Sequence, residues 1–178
     1  YLFSLGYLNQ QGSVIQTYLK RYSARVNTQY KIRKNIRIGE NAYIFYQQNP
    51  AFNNQADFNT VTQLYQMLPI VPVYDIKGNF GGTFGGPELG SRYNPIATLN
   101  GTVNNRHNVW DIVGNAYAEV DFLKHFTVRT SIGGTIDNQY SQAFNFTPYW
   151  SPTDYTTPNS YSESSLYNSN TTWTNTLT

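Results

Sequence analysis

Catalysis needs groups that move protons, attack carbon or hold metal, and here such groups are sparse and badly spaced. The two histidines, His107 and His125, stand 18 positions apart at opposite ends of one strand-like segment. Extended, that separation is roughly 60 Å, so they cannot share a metal within the segment. Cysteine is absent, which removes both a thiolate metal site and a disulfide scaffold. There is no G-x-S-x-G elbow and no G-x-x-x-x-G-K-[ST] phosphate loop, and the glycines between positions 78 and 86 lack the lysine that phosphate chemistry requires. Asp75 to Asn79 is too short and too poor in carboxylates for an EF-hand. No catalytic residue, metal ligand or cofactor is expected, and the chain does not read as an enzyme.

The residues that remain are charges and aromatics suited to binding. Seven of the twelve basic residues fall between Lys20 and Arg37, and no acid precedes Glu40. Acids follow later, at Asp111, Glu119, Asp121 and Asp137. Arg21, Arg25, Asp111, Glu119, Asp121 and Arg129 are therefore candidates for charges facing a wet interior and whatever fills it. The plainer reading, preferred here, is cross-strand pairing within a wall plus a basic turn. A net charge of +2 and a basic cluster confined to one strand face argue against a nucleic-acid partner. Tyr149, Trp150, Tyr155 and Tyr161, with Phe80 among glycines, offer flat faces that would stack on sugar rings. They would equally pack loops together or touch a lid protein.

These side chains need elements to carry them. Only 12% of residues are charged while 16% are aromatic, with sixteen tyrosines. No run of about 18 apolar residues exists for a membrane helix, and the first residues lack the layout of a signal peptide. If the chain meets a bilayer, it does so as a barrel. From Tyr22 the even positions are Tyr22, Ala24, Val26, Thr28, Tyr30 and Ile32, against Arg21, Ser23, Arg25, Asn27, Gln29 and Lys31. Side chains of a strand point alternately to its two sides, so one face is apolar and the other polar. The pattern returns from Trp110 to Phe122 and from Phe126 to Asp137. It is looser from Ile36 to Tyr46, where Glu40 interrupts it, and is present from Tyr1 to Leu8. Thr172 to Thr178 looks like a strand just begun. Strands of soluble proteins run about 5–6 residues, whereas several here run about 12, enough to cross a bilayer at a tilt. The predicted fold is all-β: an antiparallel transmembrane barrel wall of about five to six strands with long outer loops and one short loop helix.

Connections alternate in length, as between the periplasmic turns and outer loops of such barrels. Arg33-Lys34-Asn35 and Leu123-Lys124-His125 are tight turns. Asn9 to Lys20, Asn49 to Arg106 and Ser141 to Thr171 read as long loops, so the first, third and fifth strands run outward. Apolar parity switches from odd to even between Ile15 and Tyr22, which predicts a bulge there. Within the second loop, Phe58, Val61, Leu64, Tyr65 and Leu68 recur at helical spacing, with Asp57 or Asn59 to cap the start and Pro69 to end it.

The opening YLFSLGYLNQQGSVIQTYLKRYSARVN, Tyr1 to Asn27, resembles the barrel region of SusC/RagA-type TonB-linked transporters of Bacteroidetes, through Arg21, Tyr22, Arg25 and Asn27. The likeness continues through PIVPVYDIKGNF (Pro69 to Phe80), Asn94-Pro95, GNAYAEVDFLK (Gly114 to Lys124), FTVRTSIGG (Phe126 to Gly134) and TWTNTL (Thr172 to Leu177). It implies a plugged outer-membrane barrel, set among outer-membrane lipid and energised through TonB-ExbB-ExbD. It further implies a SusD-like surface lipoprotein as lid and oligosaccharides or peptides as cargo. Residues 1–178 are then one partial barrel domain, with the plug and the rest of the wall outside this sequence. A barrel of about 22 strands needs some 220 residues for its crossings alone. Two other readings stay open: a soluble or surface carbohydrate-binding β-sheet protein, and a structural barrel subunit of an envelope complex.

Overall fold

The computed structural model describes residues 1–50, 60–82, 94–123, 125–145 and 159–178. Six strands form one antiparallel meander in chain order: β1 (Leu2–Gln11), β2 (Tyr18–Arg33), β3 (Ile36–Asn49), β4 (Arg106–Phe122), β5 (Phe126–Asn145) and β6 (Ser160–Leu177). From β2 onward each strand has 14 to 20 residues, far beyond the usual length in soluble sheets. No described helix is long and apolar enough to cross a membrane.

The register carries the faces predicted from alternation across the whole sheet. Leu5 opposes Ala24, Ala24 opposes Ile44, Ile44 opposes Ile112, and Ile112 opposes Ile136. One face thus collects the even residues of β2 to β5 and the odd residues of β1 and β6. Among the described residues nothing seals either face. Among the described residues the buried apolar side chains are Ala97 and Leu99, both in a loop helix, while Leu5 is 73% exposed, Ile132 57% and Trp173 72%. An apolar face this broad, bare of the described residues, is the kind that meets a membrane or another protein layer.

Aromatic rings bound that face. At the end of the long connections Tyr7, Tyr22, Tyr46 and Trp110 form a registered row, with successive ring centroids 4.9, 6.5 and 4.7 Å apart. At the other end Phe122 stacks on Phe126 at 5.6 Å. From Trp110 to Phe122 the strand rises about 40 Å, or about 30 Å along a membrane normal at a 40° tilt. That matches an apolar band of about 25 Å flanked by aromatic girdles. Between the rows the face is largely aliphatic and small. Glu40, midway between them in register, accepts a hydrogen bond from Thr28 Oγ1 at 3.0 Å.

Four expectations need correction. Ser160 to Thr171 is not loop: β6 begins at Ser160 and pairs with β5 over its full length. Its run of Ser, Asn and Thr hid an alternation whose apolar-face members Tyr161, Tyr167 and Trp173 are widely spaced. The first connection is also short, Gly12 to Thr17, closed by the Gly12 N–H donating to Thr17 O at 2.9 Å. No bulge lies between Ile15 and Tyr22, because β1 and β2 pair without a shift from Leu2–Asn27 to Gln11–Tyr18. Six turn residues change the parity by themselves, and the register shift sits between Lys31 and Arg33. Finally, the described part of the long connection holds two helices rather than one. The first, α1 (Thr60–Gln66), falls where helical spacing put it; its predicted caps, Asp57 and Asn59, lie outside the described residues. The second, α2 (Pro95–Gly101), starts with proline in its first turn, where a missing N–H costs nothing.

Asn94 organises that connection. Its Oδ1 accepts from Ile96 N at 3.0 Å and Ala97 N at 3.2 Å, and its Nδ2 donates to Val73 O at 2.9 Å and Gly81 O at 2.8 Å. One buried amide thereby caps α2 and clamps the small hairpin bridged between Tyr74 and Phe80. At the hairpin tip Gly78 adopts φ +84°, a conformation that favours glycine. Asp75 accepts there from the Asn79 side chain, the Asn79 N–H and the Lys77 N–H, which together hold its carboxyl below the usual range. The loop is tied to the wall by Gln16 Nε2 donating to Asn100 Oδ1, and by Phe144 N donating to Asn105 Oδ1 at 2.7 Å.

Two outcomes follow from this loop. Asn94→Ala is expected to cost about 1–3 kcal/mol of local stability, since a cap and two buried carbonyl partners go together. Hydrogen exchange should accelerate at the Ile96, Ala97 and Gly81 amides and stay unchanged along β4. Asp75's lowered folded pKa gives the hairpin tip stability that is complete above the unfolded carboxylate value of about 3.9. That stability is lost as pH falls through the lower folded value. Amide exchange at Lys77 and Asn79 followed from pH 6 to 2 should show protection falling only below the unfolded value, and Asp75→Asn should flatten the change.

Candidate functional site

Alternation sends every predicted lumen charge to the polar face. Arg21 and Arg25 lie on β2, Asp111, Glu119 and Asp121 on β4, and Arg129 on β5, all at the odd positions opposite the apolar ones. They do not form one cluster. Three of them gather near the tight turns, joined by Arg37, which was noted only as a member of the basic run. Arg37 Nε donates to Glu119 Oε2 at 2.9 Å, and its Nη1 and Nη2 donate to the two oxygens of Asp121 at 2.7 and 2.8 Å. Arg129 Nη1 reaches Glu119 Oε1 at 3.0 Å, and Thr127 Oγ1 donates to Asp121 Oδ1 at 2.8 Å.

This part-buried chain ties β3, β4 and β5 together through a bidentate arginine, the strongest geometry for such a pair. Register makes it possible, because Arg37, Glu119 and Arg129 are direct neighbours across three strands. Arg129 also lies 4.1 Å over the Tyr117 ring. Tyr117 in turn covers Gly39, where a β-carbon would approach its ring to 2.5 Å. Here the plainer expectation, cross-strand pairing within the wall, describes the contacts.

Arg21 and Arg25 behave differently. Each lies over an aromatic ring, Arg21 at 5.9 Å from Phe45 and Arg25 at 5.3 Å from Tyr43, and neither has an acidic partner among the described residues. Asp111 and Asp137 face each other across β4 and β5. Asp137 Oδ2 accepts from Gln139 Nε2 at 2.8 Å, while one oxygen of each carboxylate has no hydrogen-bond partner among the described residues.

Of the aromatic candidates, Tyr149, Trp150 and Tyr155 lie outside the described residues. Tyr161 stands near the start of β6, its hydroxyl donating to Glu163 and accepting from Gln142 Nε2 at 3.1 Å. Phe80 packs against Tyr74 with ring centroids 5.5 Å apart, so it closes the loop hairpin. The two are not brought together by any contact. His107 Nδ1 is 2.7 Å from Ser141 Oγ across β4 and β5. No group of three or more metal-ligating side chains occurs among the described residues.

No family model and no curated protein matches the chain by sequence. Solved structures do match its fold. A chain of the RagAB peptide importer in its closed-closed state aligns with a TM-score of 0.70 at 18% identity, covering 98% of this chain and 20% of that one. A chain of the RagAB peptide transporter aligns at 0.71 and 19% identity, with the same coverage. The chain thus spans about a fifth of the length of the structures it matches, and its six-stranded sheet shares the fold of that part of them.

Proposed function

We propose that this chain is a length of outer-membrane barrel wall from a SusC/RagA-type importer, and that it works by containing and guiding cargo, without chemical steps. One observation carries the reading. Six strands, most of them 14 to 20 residues long, present a bare apolar face framed by aromatic rows twelve residues apart, with Arg21, Arg25, Arg37, Glu119, Asp121 and Arg129 on the opposite face. In hydrocarbon that face is stable, and the charged face then borders a wet lumen. The likeness to a fifth of the RagAB chains supports the same assignment.

A soluble β-protein would need a protein layer over Tyr22, Val26, Tyr30, Ile112, Val120 and Phe126. The described residues supply none, and Tyr22 and Tyr30 are more than half exposed. In the proposed orientation β1, β3 and β5 run outward, the tight turns are periplasmic, and the α1–α2 connection lies outside, where a SusD-like lipoprotein would close on it. Plug and TonB-ExbB-ExbD coupling belong to the remainder of the parent protein. Oligopeptides are the favoured cargo, since the matching structures are of a peptide importer; oligosaccharides are the alternative suited to Tyr149, Trp150 and Tyr155.

Uptake of labelled oligopeptides and oligosaccharides by cells carrying or lacking the parent gene tests this reading. Loss of the gene should abolish peptide accumulation that depends on the proton-motive force, and the protein should fractionate with the outer membrane. Unchanged uptake of both cargo classes, or recovery in the soluble fraction, contradicts it.

A further inference from the structure

The charged face of the wall is divided in a way that cross-strand pairing does not account for. Near the tight turns, Arg37 and Arg129 are neutralised by Glu119 and Asp121. Toward the other end, beside the outer aromatic row, Arg21 and Arg25 stand four residues apart on one side of β2, about 13 Å along the strand. The polar face of β1 to β3 holds no acid, because Glu40 points to the apolar side. Asp111, two strands away at about 10 Å, has Phe45 between it and β2 in register.

Both guanidiniums are held rather than loose. The Phe45 and Tyr43 rings, themselves 5.9 Å apart, back them at 5.9 and 5.3 Å. A ring under a guanidinium restrains its plane and leaves its N–H edges free for a planar acceptor. Ser23 lies midway between the two arginines, with Gly6 opposite it on β1 and Phe45 opposite it on β3, and a β-carbon at Gly6 would meet Ser23 Oγ at 2.6 Å. The two restrained cations therefore have only small residues between them along β2 and toward β1.

We propose that Arg21 and Arg25 form a carboxylate-recognition site on the lumen face, near its outer mouth, that takes the C-terminal carboxylate of an oligopeptide cargo. The inference rests on the import reading. A carboxylate matches the guanidinium fork in two parallel hydrogen bonds. Two forks spaced along one strand would keep hold of a moving chain end as it leaves the first for the second.

The test uses the full-length parent protein in detergent and one neutral-side-chain peptide in two forms, with a free or an amidated C-terminus, measured by calorimetric titration. Wild type should bind the free form at least about tenfold more tightly. Arg21→Gln/Arg25→Gln should bind both forms alike, at the wild-type affinity for the amide. Should that variant fail to assemble, Arg21→Lys/Arg25→Lys keeps the charge without the fork and should show a reduced preference. A preference that survives undiminished in whichever double variant is assayed, or equal binding of both forms by wild type, overturns the proposal and leaves import standing. Equal loss of both forms in the variant also overturns it, assigning the arginines to holding the plug or the fold. Binding of neither form by wild type removes the peptide-import reading and the proposal together.

Discussion

A backbone crossing hydrocarbon has no water to bond, so its N–H and C=O groups must bond sideways to neighbouring strands. Once that ladder is fixed, side chains have no choice of direction: each is delivered to one face or the other by its parity. The sheet is built on this constraint. Ladders run unbroken over ten pairs between β1 and β2, seventeen between β4 and β5, and eighteen between β5 and β6. The apolar row from Leu5 to Ile136 and the charged row from Arg37 to Arg129 are two consequences of the same pairing.

The faces differ in what holds them. On the apolar side, aromatic pairs such as Tyr46–Trp110 and Phe122–Phe126 contribute roughly 0.5–1.5 kcal/mol each. The Tyr and Trp rings also mark depth, since amphipathic rings settle at the boundary between hydrocarbon and water. On the polar side, the Arg37–Glu119–Arg129 chain fastens three strands near the tight turns. The arginines of β2 have no such pairing among the described residues and lie against rings instead, so ion pairs and ring-backed cations occupy opposite ends of one face.

Much of this was legible in the sequence because alternation is a strong signal wherever apolar residues occupy one parity. Tyr22 to Ile32, Trp110 to Phe122 and Phe126 to Asp137 gave strands, faces and tight turns correctly. β6 was missed over most of its length because Ser, Asn and Thr fill both its faces, and a strand without contrast looks like loop. The supposed bulge before Tyr22 mistook a turn for a strand defect, parity alone being unable to tell them apart. The α2 helix was hidden by its brevity, although Asn94-Pro95 is a cap followed by a first-turn proline. Arg37 was seen as part of a basic turn, and its role as the hub of an ion-pair chain emerged only from register, which depends on residues 82 and 84 positions away. The ring-backed state of Arg21 and Arg25 was invisible for the same reason.

The most direct measurement is a nitroxide scan along β4, from Trp110 to Phe122, in the full-length protein reconstituted into lipid bilayers. Collisional accessibility to oxygen and to a water-soluble nickel complex should oscillate with a period of two and opposite phase, oxygen peaking at the even positions and nickel at the odd. Accessibility that does not alternate, or even positions shielded from both reagents by protein, would contradict the account of this sheet as a wall between hydrocarbon and water.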